Sequence, residues 1–271
     1  MRMQKVWVVF RKDWIEIRRN WQVIMPILVV PLIFSIVLPT VLTTSISQAD
    51  QQSGNQSINQ TLAGLPPSVQ TEVAGMTENQ AMAYIVLLYL FAPFFLIIPL
   101  MASSVIASDS FAGEKERKTI EALLATPISD SELLMGKILV AFIPAMLVTL
   151  MAFGIYFAII NASFVSMIGR LILPNLSWIL LIFLLTPTLA LAGIGITVII
   201  SARVKGFREA QQISAIMVLP ILFIFFGQAS GLLFLGPLNI ILITAALALL
   251  DFLIFRLGLG MFRREEILAK L

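Results

Sequence analysis

The sequence predicts an all-α integral membrane protein of six transmembrane helices, preceded by an amphipathic interfacial helix. Three observations carry that reading. Of the 271 residues, 59% are hydrophobic and only 12% charged, where a soluble domain carries about a quarter charged residues. The mean hydropathy is +0.98, which means more apolar surface than a soluble core of this length can hide. The charges are gathered into blocks that separate five charge-free intervals, 20–49, 79–108, 138–169, 171–202 and 210–250.

A spanning helix needs about 20 apolar residues. The first four intervals each hold one crossing. The fifth has 41 residues, roughly 60 Å as helix and about two hydrocarbon cores. It is broken at 227–231 (GQASG) and 236–237 (GP), so it reads as two helices and a turn. The expected spans are 22–46, 81–107, 133–160, 171–200, 210–228 and 237–258, with an external loop at 47–80. Of the 18 Lys and Arg residues, only Arg170 falls in an odd-numbered connection. The excess of bases on the other side puts both termini in the cytoplasm, and the expected location is the cell membrane of a prokaryote. A five-span arrangement would carry the basic tail outside. No cleavable signal peptide is expected, because the N-terminus stays basic for 20 residues and the first apolar run is long and holds three prolines.

Residues 1–21 are expected to form the interfacial helix. Trp7, Phe10, Trp14, Ile17 and Trp21 recur at steps of 3, 4, 3 and 4, which gathers them on one face. Lys5, Arg11, Lys12, Glu16, Arg18 and Arg19 take the other faces. Such a helix lies in the headgroup layer, as a plain anchor or as an elbow that receives motion from a partner. The 47–80 loop is rich in Gln, Ser, Asn and Thr and is expected to be a loose cap with one short helix. Two glycosylation-type triplets begin at Asn55 and Asn59. The prolines inside the spans serve kinked packing or hinges.

The connection after the second span is unusual. Asp109 is expected to end that span, and six charges then crowd into residues 114–121. Glu114 with Lys118, and Arg117 with Glu121, stand at i, i+4, while Ile120, Leu123 and Leu124 form an apolar edge. A compact helix over 113–125 is expected, ended by Pro127. Ser129 and Glu132 then form a capping box that opens the third span. A plain helix connection needs 2–8 residues or so. This longer one reads either as a solvated hairpin or as a docking surface.

Within the spans, Ala190, Ala192, Gly193 and Gly195 suit close helix packing. Phe91, Phe94 and Phe95 in the second span, and Phe223, Phe225 and Phe226 in the fifth, are candidate pathway-lining residues. Asp251 is the only acidic residue expected inside a span, a candidate gating charge or a partner of Arg256. With no His and no Cys, Ser-His and Cys-His catalysis, disulfides and most transition-metal sites are excluded. An aspartyl protease would need a second intramembrane carboxylate. No phosphate-binding G-x-x-x-x-G-K-[ST] occurs. No catalytic residue, metal site or nucleic-acid partner is expected.

The run from Gly113 to Lys137 resembles the loop after the second crossing in ABC-2 type transporter permeases. The family pattern E-[KR]-E-[RK]-x-T-[LI]-E-x-L-L-x-[TL]-P-[IV]-S is met by Glu114, Lys115, Glu116, Arg117, Thr119, Ile120, Glu121, Leu123, Leu124, Thr126, Pro127, Ile128 and Ser129. Glu132, Gly136 and Lys137 follow, and Lys118 stands where many members have Gly. The resemblance implies that residues 113–125 are a coupling helix. It would dock through Glu114, Glu116, Arg117, Thr119, Ile120, Glu121, Leu123 and Leu124 on a separate ABC ATPase subunit that binds ATP and Mg. This chain would bind no cofactor itself and would work with a second permease copy or paralogue. In related exporters the second and fifth spans line the pathway, which here suggests a hydrophobic or amphiphilic cargo. Members that export sodium often carry a large external domain after the first span, and this chain has only about thirty residues there. The alternatives are an ion exporter of the same family and a stand-alone carrier or channel.

Overall fold

The structure, a computed structural model, describes residues 2–52, 67–119 and 126–261. Among these the regular elements are all helical. Helix α1 (Met3–Ile17) precedes α2 (Trp21–Ser45), whose last turns run on to Gln52. A short α3 (Pro67–Glu72) leads to α4 (Glu78–Glu116), α5 (Asp130–Ile168), α6 (Leu176–Ser201), α7 (Phe207–Ala229) and α8 (Pro237–Met261). Six of these, α2 and α4–α8, are long and apolar enough to cross a membrane. The two glycosylation-type triplets lie outside the described residues.

Two helices are much longer than their apolar runs. α4 and α5 each have 39 residues, about 58 Å at 1.5 Å per residue and nearly twice a hydrocarbon core. α4 does not stop at Asp109 as expected. A π turn over Asp109–Gly113 carries it on into Glu114–Glu116. No separate helix therefore begins at 113, and residues 113–116 belong to the second span's own helix. Lys118, at φ 57°, then turns the chain away, and Glu114 O accepts from the Thr119 amide at 3.0 Å and hydroxyl at 3.3 Å. The predicted capping box is present: the Ser129 hydroxyl accepts from the Glu132 amide at 3.3 Å, and Glu132 accepts from the Ser129 amide at 3.1 Å.

α4 is the axis of the bundle, with 72% of its apolar stretch buried against 17% for α7 and for α8. α5 and α6 flank it, and α8 packs on α6. The small residues of α6 permit this. A methyl on Gly193 would meet Leu100 at 2.9 Å and Ser103 at 3.0 Å, and one on Gly195 would meet Ile254 at 2.5 Å.

The irregular turns have a common cause. Proline cannot donate to the carbonyl four residues back. The π turns Ile33–Val37, Val86–Leu90 and Leu181–Leu185 lie just before Pro39, Pro93 and Pro187, and the 3-10 turn Ala215–Val218 lies just before Pro220. Each contains that fourth residue back, so the ladder widens or tightens where a bond is missing. In α4 two other carbonyls of the same π turn also accept from neighbouring helices. Leu87 O accepts from Tyr156 Oη at 2.5 Å and Leu88 O from Trp178 Nε1 at 3.0 Å. Phe95, Tyr156 and Trp178 form an aromatic nest there, with centroids 4.7–5.2 Å apart. The π turn Asp109–Gly113 has no proline close after it, and the Asp109 side chain in it is held by Asn20 and Arg117.

At the end of the bundle away from α1, Glu72 accepts from Tyr84 Oη at 2.9 Å and Tyr89 Oη at 2.7 Å, and its carbonyl accepts from Arg170 Nη2 at 2.6 Å. Buried Asn161 closes the α5–α6 connection. It accepts from the amides of Ile172 (2.9 Å) and Leu173 (3.1 Å) and donates to Leu173 O (2.8 Å).

Candidate functional site

The site begins with α1. Its inward face is Val6, Val9, Asp13 and Ile17, all buried, at helical steps of 3, 4 and 4. The expected face is corrected in two respects. Trp7, Phe10 and Trp14 do stack, at 4.7 and 6.4 Å, but on the flank, and Trp7 is 59% exposed. Trp21 is not on α1: the helix ends at Ile17, Asn20 caps the next helix by accepting from the Gln22 amide at 3.1 Å, and Trp21 opens α2. Gly136 of α5 lets α1 approach closely, since a methyl there would lie 2.7 Å from Val9 Cβ and 3.1 Å from Val6 O. The N-terminus of α1 is tied to the start of α5, with Arg2 N donating to Glu132 at 2.6 Å and Lys5 donating to Pro127 O.

Where α1, α4 and α5 meet, a cluster of charges is sealed from solvent. Asp13, Glu114 and Lys137 are each 1–2% exposed. Lys137 Nζ lies 2.6 Å from Glu114 Oε2 and 3.5 Å from Asp13 Oδ2. It also donates to the Ser110 carbonyl, lies 3.2 Å from the Ser110 hydroxyl, and sits 5.2 Å from the centre of the Phe111 ring. Ser110 Oγ in turn donates to Asp13 at 2.6 Å. Lys12 bridges from the rim to Asp13 at 3.1 Å, to Glu16 at 3.3 Å and to Glu114. The π turn places Asp109, Ser110 and Phe111 together on this buried side.

Burial acts to raise the Asp13 carboxyl, but Lys137, Lys12 and the Ser110 hydroxyl outweigh it and hold Asp13 below the usual carboxylate range. Burial likewise acts to lower Lys12, and Asp13 with Glu114 holds it above the usual lysine value. Asp13 and Lys12 are therefore charged at neutral pH. Asp13, Glu16 and Glu114 bring oxygens within 4.8 Å of one another, a spacing that could hold a cation. Lys12 and Lys137 already supply that positive charge.

The next three side chains, Lys115, Glu116 and Arg117, reach other elements. Arg117 Nη1 donates to Asp109 Oδ1 at 2.9 Å, and Nη2 lies 3.8 Å from Glu16. Asn20 also donates to Asp109, at 3.0 Å. Burial acts to lower Arg117, and Asp109 foremost holds it above its ordinary value. Glu116 accepts from the Phe207 amide, the first residue of α7, at 2.9 Å, and Lys115 donates to Val204 O at 3.1 Å.

These positions correct several expectations. Glu114 is an internal strut rather than a surface contact, paired with two lysines and not with Lys118. Arg117 pairs with Asp109 and Glu16. Thr119 closes the end of α4. Ile120, Glu121, Leu123 and Leu124 lie outside the described residues. Of the six candidate pathway phenylalanines, Phe91 and Phe95 are core residues at 6% and 0% exposure. Phe94 meets Phe225 at 4.7 Å. Phe223 and Phe226 point outward. Asp251 is buried, neither oxygen has a hydrogen-bond partner, and no ion pair joins it to Arg256 among the described residues.

Sequence reasoning missed Asp13, the carboxylate on which the cluster is built. The signal was present: Asp13 occupies a periodic position between Val9 and Ile17, where an apolar residue belongs. A carboxylate in an apolar series calls for a buried cation, and the Lys137 of the Gly-Lys pair is that cation.

The family model described as ABC-2 family transporter protein matches residues 7–259. The chain belongs to the ABC-2 transporter family. No curated protein matches it in a sequence search. The ABC-2 protein is a multi-pass membrane protein of the permease type, and the family in general works with an ABC ATPase. The match runs from α1 into α8, so it takes in both the ion-pair cluster and all six spans.

Proposed function

We propose that this chain is the membrane subunit of an ATP-driven exporter, coupling ATP hydrolysis by a separate ABC ATPase to movement of a hydrophobic or amphiphilic cargo. The observation that carries the reading is the rigid base of the 118–129 connection. Residues 114–117 are fixed by buried ion pairs to α1 and α5 and by hydrogen bonds to the start of α7. A push on a connection so anchored moves four elements together, as a coupling segment requires. ATP and Mg would be held by the partner chain, and a second permease copy or paralogue would complete the pathway. The charge asymmetry supports cytoplasmic termini, and the location proposed with it is the cell membrane of a prokaryote. An ion as cargo is the second reading, favoured by the unpartnered Asp251.

The test is reconstitution with a candidate ATPase in lipid. Co-purification and permease-dependent ATP hydrolysis are expected with the native chain and should fall with Ile120→Asp or with Glu121→Lys. Equal binding and hydrolysis by the altered chains would remove the 113–125 segment as the docking element.

A further inference from the structure

Glu116 belongs to the run that, by its pattern, would be read as docking contacts. Its carboxylate turns the other way. Oε2 accepts from the backbone amide of Phe207 at 2.9 Å, the first orphan donor of α7, which a helix must satisfy from outside itself. Gly206, just before it, leaves the carboxylate its place: a methyl there would lie 2.5 Å from Glu116 Oε2 and 2.9 Å from its Cδ and would displace them. One residue back along α4, Lys115 donates to Val204 O at 3.1 Å. Val204 is itself buried against Ala112 and Ala210. Two consecutive side chains of α4 thus grip the backbone on both sides of Gly206. The carboxylate also suits the partial positive charge at a helix N-terminus.

Beyond its foot α7 packs on the bundle along one narrow face, where Ser214 Oγ lies 3.2 Å from Thr197 Oγ1 and Ile221 is buried. Only 17% of its apolar stretch is buried, and Ile216, Leu219, Phe223 and Phe226 are exposed. Its foot is held by the helix that leads into the 118–129 connection. The geometry points to Glu116 as a positioning residue for α7: its hydrogen bond to the Phe207 amide passes displacement of the partner-facing connection to the fifth span. This rests on the permease reading above and names the route that the movement takes. It also separates two neighbours in sequence, since Glu114 fixes α1 and α5 while Glu116 drives α7.

The chain has no cysteine, so paired spin labels at Ile216→Cys on α7 and Met151→Cys on α5, both exposed, report their separation without background. In the complex with the ATPase, ATP is expected to shift that distance in the otherwise native chain. Glu116→Ala and Gly206→Ala should abolish the shift while the ATPase still co-purifies. Glu116→Gln, which keeps a carbonyl acceptor for the amide, should retain it. A shift that persists in both Glu116→Ala and Gly206→Ala overturns the proposal, as does loss of ATPase binding in both, which would make Glu116 a docking contact. A bound ATPase with no ATP-dependent shift in the native chain also overturns it and leaves the permease reading standing. Failure of the native chain to bind any ATPase removes the permease reading, and the proposal with it.

Discussion

At the scale of single residues, Lys137 decides whether the cluster is stable. It faces Asp13 and Glu114, both buried. Removing one partner of a buried ionic group leaves uncompensated charge, at a cost of about 3–5 kcal/mol. Lys137→Met is therefore expected to lower the melting temperature in detergent markedly. Adding Asp13→Leu to it should recover part of the loss, and a double-mutant cycle on melting measures the coupling. The pH dependence follows from the directions of the shifts. Asp13 is held below its unfolded value, so its contribution is complete above about pH 4 and fades as pH falls through the depressed value. Lys12 is held above its unfolded value, so its contribution is complete below about pH 10 and is lost as pH rises further. The contribution of these two groups to the melting temperature should thus be constant between these limits and fall outside them, and Asp13→Asn should flatten the acid limb.

At the scale of elements, the fit of α1 on α5 depends on a glycine. Gly136→Leu would drive a side chain into Val9 and the Val6 carbonyl, and overpacking of this kind typically costs about 1–3 kcal/mol. The expected outcome is that α1 lifts from the bundle while α5 stays helical, seen as faster amide exchange confined to residues 3–17. Helices and their breaks were legible here because membrane spans announce themselves by the absence of charge. The break at 227–237 was legible from Gly and Pro, and the start of α5 from Ser129 and Glu132. The end of α4 was not. Asp109 looked like a boundary because a charge ordinarily leaves the membrane, yet Asn20 and Arg117 satisfy it and the helix continues. Partners 89 residues apart in the chain leave no local trace. Glu114 misled for the same reason: its helical neighbour Lys118 offered a local pair, and Lys12 and Lys137 supplied a better one from other helices.

At the scale of the whole molecule, charge and burial divide the bundle. The ion-paired end holds Lys12, Arg117 and Lys137, and the opposite end holds Arg170 against Glu72. Labelling checks the orientation. Leu171→Cys, highly exposed at the Arg170 end, should react with an impermeant maleimide on intact cells. Arg203→Cys at the other end should react only after permeabilisation, and the reverse pattern would invert the topology. The aromatic nest of Phe95, Tyr156 and Trp178 shows why the lining of a pathway resisted prediction. Phenylalanines at one depth look alike in sequence, whereas Phe95 fills the centre of one chain and Phe223 faces outward from it.

The separation of Asp13 from Lys137 also sets an order of events at birth. The two are 124 residues apart, so at 5–20 residues per second the ribosome needs roughly 6–25 s to deliver the lysine after the aspartate. Throughout that interval α1 carries a carboxylate with no buried mate and has reason to stay in water. It can seat only when the third span has begun to emerge on the same face of the membrane. A nascent chain whose first or second span enters the wrong way round delivers Lys137 to the opposite face and leaves α1 unseated. The ion pair therefore forms only in a chain whose N-terminal helix and the start of whose third span lie on one face of the membrane.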